Sequence, residues 1–150
     1  MTKGITKTVF VGRFRYKVDA KKRVAIPSVW RAVAQGEQDY FVLPDPRNCL
    51  VVLPSSGMEK IMERAQAVTM GELERRESMS LLGSQTRGLR LDSQGRIMLT
   101  EELLKLAEVT DEAELIGGFD RFEIWSPARW AEFENKAKAK FDQSFRQAGL

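Results

Sequence analysis

Residues 17–26 read KVDAKKRVAI, and residues 90–99 read RLDSQGRIML. Asp19 and Arg23 return as Asp92 and Arg96, 73 positions later. Lys17/Arg90, Val18/Leu91, Val24/Ile97 and Ile26/Leu99 keep their character at that spacing. Further out, Ala34 returns as Ala107, Pro54 as Pro127 and Glu59 as Glu132, and Val51 matches Ile124. A repeat this extended makes the chain two copies of one small β-rich unit.

Each copy predicts the same order of elements. Phe14, Tyr16 and Val18 alternate with Arg13, Arg15 and Lys17, a half-buried strand with a cationic outer face. Asp19 to Lys22 is a turn, and Arg23 to Ile26 is the returning strand. Pro27 fits the first turn of a short helix over 28–35. Tyr40 to Leu43 and Cys49 to Leu53 are strands about a Pro44–Asn48 turn. Ser56-Gly57-Met58-Glu59 matches a capping box, with Met58, Ile61, Met62 and Ala65 as the apolar stripe of the helix it opens. In the second copy, Leu89 and Leu91 flank Arg90, Asp92 to Gly95 turns, and Arg96 to Leu99 returns. Thr100 caps a helix, Glu114–Ile116 and Phe122–Trp125 are strands, and Ser126-Pro127 opens a last helix. Its apolar stripe is Trp130, Phe133, Ala137, Phe141 and Phe145, with Lys136, Lys138 and Lys140 opposite. The segment between copies is helical from Glu72 to Leu82. A unit of ~70 residues is marginal alone. The expected fold is therefore α+β, with one barrel-like core built by both halves around a pseudo-two-fold axis.

The net charge of +3 hides an asymmetry: residues 1–31 carry nine basic residues and one acid, a balance of +8. Such a concentration suits a polyanion, most simply nucleic acid. Cys49 is the single cysteine, which excludes an intrachain disulfide, and its apolar neighbours assign it to the core. No apolar run is long enough for a membrane span or a signal peptide, so a cytoplasmic protein is expected.

The Asp-x-x-x-Arg element has a definite physical use. The carboxylate can accept turn N–H groups and hold the guanidinium in one orientation. The donors left over can address a phosphate or a guanine edge. A lone example is usually a turn staple. Two in register, one beside a cationic strand, point to a binding edge. Enzymatic readings find no support: the chain has no histidine, hence no Ser–His or Cys–His arrangement, and it carries no phosphate-binding glycine motif and no zinc spacing. No cofactor, metal or small-molecule substrate is expected.

Phe10-x-Gly12, Asp19-x-x-x-Arg23 with Ile26-Pro27, Glu74-Arg75-Arg76 with Gly83, Asp92-x-x-Gly95-Arg96, and Ile116-Gly117-x-Phe119-x-x-Phe122-Glu123-Ile124-Trp125 with Trp130 resemble the bacterial MraZ family. The resemblance runs from about Phe10 to Phe133. It implies two tandem swapped-hairpin modules of the SpoVT-AbrB type, with flanking helices. Repeats are placed at 10–57 and 89–130, an N-terminal extension at 1–9, a connecting helical segment at 58–88 and a C-terminal helix at 131–150. It also implies a nucleoid-associated transcription factor of its own division and cell-wall gene cluster. Such a factor binds short G-rich direct repeats in double-stranded promoter DNA as a ring-shaped homo-oligomer. The expected DNA-contacting residues are Arg13, Arg15, Lys17, Asp19, Lys21, Lys22, Arg23, Arg90, Asp92 and Arg96. The alternative is an architectural ring protein binding without sequence preference. The family's glycine before the motif arginine is present as Gly95 and replaced by Lys22. If that site needs a positive φ, Lys22 is strained there.

Overall fold

The computed structural model describes residues 9–34, 36–67 and 69–149. The elements run β1 (Arg13–Lys17), β2 (Arg23–Ala25), α1 (Ser28–Val33), β3 (Asp39–Asp45), β4 (Cys49–Pro54), α2 (Ser55–Ala67) and α3 (Glu72–Gln85). The second copy follows as β5 (Arg87–Arg90), β6 (Arg96–Met98), α4 (Glu101–Leu106), β7 (Glu112–Gly117), β8 (Phe122–Trp125) and α5 (Pro127–Gln147).

Six strands form one antiparallel sheet in the order β1-β7-β8-β4-β3-β5, and β2 pairs with β6 as a separate ribbon. Exchanging each strand for its repeat counterpart reverses that order and reproduces it, so the pseudo-two-fold is real. The swap is visible in the register. β1 pairs with β7 of the other copy, Lys17 opposite Glu112, and β5 pairs with β3, Arg90 opposite Asp39. Neither hairpin closes on itself. The α+β class holds, and the shared core is this sheet with the ribbon, α1 and α4 laid over one face; no closed barrel forms among the described residues.

The core follows from alternation. Phe14 and Tyr16 of β1 pack inward with Val24, Trp30, Tyr40, Leu115, Phe122 and Ile124. Trp30 is the hub: its ring meets Phe10, Phe14 and Phe122, and its Nε1–H donates to Val11 O at 2.8 Å. Gly117 lets the backbone of Phe10 and Val11 lie close, since a Cβ there would sit 2.7 Å from Phe10 O.

Several local expectations change. The repeat spacing slips by one residue at the second sheet turn. Val42 lies opposite Val52, whereas Leu115, the counterpart of Val42, lies opposite Ile124. Pro46, Arg47 and Asn48 turn the first hairpin, while Phe119 and Asp120 suffice for the second, closed by Gly118 N–H on Arg121 O. From β4 onward Val52 therefore answers Ile124. The match of Pro54 to Pro127 is one of letters: Pro54 ends β4 and Pro127 opens α5. The capping box at Ser56 is not used, because α2 already begins at Ser55 and Ser56 Oγ turns to Glu37. Pro27 stands at the N-cap of α1 rather than inside its first turn, and the helix ends at Val33. Residue 35 lies outside the described residues, as do positions 1–8. Thr100 does cap α4, accepting from Leu103 N–H at 3.1 Å, and Ser126 caps α5. Among the described residues no helix is long and apolar enough to cross a membrane.

Candidate nucleic-acid interface

Each Asp-x-x-x-Arg element is a closed loop of hydrogen bonds. Asp19 Oδ1 accepts the N–H groups of Lys21 and Arg23 at 2.9 and 2.8 Å, and Oδ2 accepts Arg23 Nε–H at 2.6 Å. Asp92 repeats this with Gln94 N, Arg96 N and Arg96 Nε at 2.9, 3.0 and 2.9 Å. The backbone N–H of Arg23, then its guanidinium and the N–H of Lys21, hold the Asp19 carboxyl below the usual range. Asp92 is held low by the same backbone capture from Arg96. Both stay ionised at neutral pH. Each arginine is gripped by its own aspartate through Nε rather than through its Nη groups.

The swap brings the two loops together. In the ribbon Arg23 lies opposite Met98, Val24 opposite Ile97 and Ala25 opposite Arg96. Val24 and Ile97 point into the core, so Arg23, Ala25, Arg96 and Met98 form the outer face. Ile26 N–H donates to Gly95 O, and Leu99 N–H to Lys22 O, tying each strand to the other copy's turn. Arg96 Nη1 comes within 3.6 Å of Asp19 Oδ2, a bridge between the copies.

Lys22 and Gly95 both have positive φ, 63° and 75°. Gly95 is required for a second reason: the guanidinium of Arg31 lies on it, and a Cβ there would be 2.5 Å from Nη1. In the second copy the counterpart of Arg31 is Leu104, which carries no charge. Arg31 was not foreseen as a site residue. It makes no ion pair among the described residues, and its Nε is buried without a hydrogen-bond partner. No local pattern marks it, because it sits in α1 and reaches the other copy's turn.

The remaining expected residues divide. Lys21 and Lys22 stand on the first turn, Lys22 Nζ 3.8 Å from Glu101. Lys17 ends β1 on the face it shares with Arg13 and Arg15, opposite Glu112, and so does not join the ribbon. Arg90 is exposed on β5, opposite Asp39 on the face of the sheet away from the ribbon, donating to Gln38 Oε1 at 3.0 Å. Arg13 and Arg15 do not join the ribbon. Alternation along β1 sends them to the opposite face of the sheet, where their Nε atoms clamp Glu114 at 2.6 and 2.7 Å. Arg13 also lies over Trp130 of α5. Burial pushes the Glu114 carboxyl up, but the two arginine hydrogen bonds outweigh it and hold it low.

One further cluster has the donor set of a metal site. Asp45, Cys49 and Glu123 bring their ligand atoms within 4.8 Å of one another. The guanidinium of Arg47 already joins Asp45 and Glu123 and lies over Trp125 and Phe133. It supplies the positive charge these carboxylates need. Burial pushes the Cys49 thiol up to about 12, which opposes the thiolate a metal would require.

A family model described as "MraZ protein, putative antitoxin-like" matches residues 83–149. The transcriptional regulator MraZ of Nocardioides sp. (strain JS614) is 36% identical, covering 88% of this chain and 90% of that protein. Those of Acidithiobacillus ferrooxidans and Roseiflexus castenholzii are 34% and 32% identical over 81% of this chain. The chain belongs to the MraZ family. These relatives are named as regulators of transcription, not as enzymes. The family model covers the second copy, which holds the glycine-loop and Phe-Glu-Ile-Trp block.

Proposed function

We propose that this protein is a sequence-specific DNA-binding transcriptional regulator whose reading element is the β2–β6 ribbon. One observation carries the reading: both Asp-x-x-x-Arg loops converge on a single two-stranded ribbon and present Arg23 and Arg96 on its outer face. A two-stranded ribbon fits the major groove, and arginine reads guanine O6 and N7 bidentately. Arg23 and Arg96 are diagonal neighbours, about 7–8 Å apart at the backbone. That is close to two base steps of about 3.4 Å, which suits a short G-rich box. Lys21 and Lys22 flank one end and Arg31 the other, as phosphate contacts, while Lys17 and Arg90 end strands whose alternation turns them to the far face of the sheet. Asp19 and Asp92 act by holding their arginines. Arg13 and Arg15 act behind the sheet, by fixing β1 on β7.

The recognition units are the repeats at 10–57 and 89–130, and they read as one because their hairpins are swapped. Direct repeats call for identical units in one orientation, which a head-to-tail ring of copies provides and a two-fold dimer does not. In this reading the protein occupies G-rich boxes before its own division and cell-wall gene cluster and represses it by occlusion, working at the nucleoid.

Titration of a labelled upstream fragment, against a scrambled one, tests this. Arg23→Ala and Arg96→Ala should each cost ~1–3 kcal/mol of discrimination with the oligomer intact. Equal affinity of the unmodified protein for both fragments would favour the architectural alternative instead.

A further inference from the structure

The pseudo-two-fold matches almost every element to a counterpart. Two parts have none: α3, which follows α2 and has no equivalent after α5, and the last turns of α5, which run beyond the length of α2. Among the described residues, four of the ten exposed large hydrophobic side chains lie on these two unmatched parts. On α3, Leu73 and Leu81 are 67% and 62% exposed and lie on one face with Glu77 between them and Glu74 beside them. Met79 and Leu82 face the other way, and Leu82 packs on the core cluster of β3 and β4. On α5 the apolar stripe starts on the protein's own Trp125, through Trp130 and Phe133, then runs off its edge. Phe141 and Phe145 continue it, stacked at 5.6 Å yet 60% and 44% exposed. Lys138 and Lys140 flank this end on either side.

We infer that the end of α5 from one copy docks on the outer face of α3 in the next, and that this junction is the one that closes the ring. The inference rests on the ring proposed above and names its surfaces. Phe141 and Phe145 seat against Leu73 and Leu81, and Lys138 and Lys140 meet Glu74 and Glu77. Charge decides the partner. Between Lys136 and Arg146 the helix has four basic residues and one acid, so two α5 ends facing each other would repel, whereas α3 offers acids beside its leucines. The surfaces differ, so the contact is heterologous and every copy keeps one free donor and one free acceptor until the ring closes.

Two variants test it: Phe141→Asp/Phe145→Asp, which blocks α5, and Leu73→Asp/Leu81→Asp, which blocks α3. All four residues are exposed, and circular dichroism should match that of the unmodified protein. Light scattering after size exclusion should find each variant alone at the single-chain mass of 17.1 kDa. An equimolar mixture retains one intact junction and should double that mass. Lys138→Glu/Lys140→Glu should also disassemble the ring, and adding Glu74→Lys/Glu77→Lys should restore it. That rescue decides the matter if an aspartate variant fails to fold. If the α3-blocked variant stays assembled, α5 pairs with α5 or uses another surface, and the inference is wrong while the ring reading survives. If the unmodified protein is monomeric, both fall.

Discussion

At the scale of single residues, the motif works by charge capture and one backbone angle. Asp19 and Asp92 spend each oxygen on the turn that follows, which is why both turns take the same shape from different letters. Lys22 occupies a left-handed position that glycine fills in the second copy, at a cost of roughly 1 kcal/mol for a side chain. Lys22→Gly should therefore raise stability by about that much in urea titrations while flattening the salt dependence of DNA binding. Glu114 shows the other use of arginine. Its side chain is 3% exposed and gripped by Arg13 and Arg15. Replacing it with glutamine should cost roughly 1.5–3 kcal/mol near neutral pH, the range for hydrogen bonds to a charged group. Its folded pKa lies below the unfolded value of about 4.3. The stabilisation is thus present above that value and is lost as pH falls through the folded one. Melting curves of the two proteins should converge on acidification.

At the scale of elements, most strands and helices were legible in the sequence because alternation and capping are local. β2, α4 and β8 stand where their patterns put them. The failures share a cause. The capping box at Ser56 lost to a helix that starts directly off β4, and the repeat spacing lost to a shorter turn at Phe119-Asp120. Both depend on where a strand ends in the sheet, which no short window records. Trp30 shows what packing adds. It lies on a six-residue helix, yet three aromatic rings surround it, and Trp30→Ala should cost ~3–5 kcal/mol in chemical denaturation. Cys49, buried in β4 with its thiol pushed up to about 12, should resist maleimide labelling in the native state and react once unfolded. Rapid native labelling would contradict its place in the core.

At the scale of the whole molecule, the swap makes the copies inseparable. β1 has its partner in β7 and β5 has its partner in β3, so a fragment of either repeat exposes strand edges and half a core. Each repeat expressed alone should show no cooperative thermal transition, while the two mixed should regain one. Salt belongs to this scale as well, since a ring of the kind proposed would engage several boxes at once. Removing one phosphate contact, as in Arg31→Leu, should lower the slope of log K against log salt by about one per chain engaged. It should leave the preferred sequence unchanged.

The sequence by itself determined that there are two copies, which residues form their turns, and that their arginines are held by aspartates. Those are properties of short windows, and the physics of alternation, capping and turn hydrogen bonding acts within them. Tertiary structure alone decided that the two turns share one ribbon, that Arg31 lies on Gly95 of the other copy, and that Arg13 and Arg15 face away from the ribbon. These depend on which strand pairs with which across a separation of about a hundred residues. That choice is made by burying two incomplete apolar faces against each other, and no local pattern contains it.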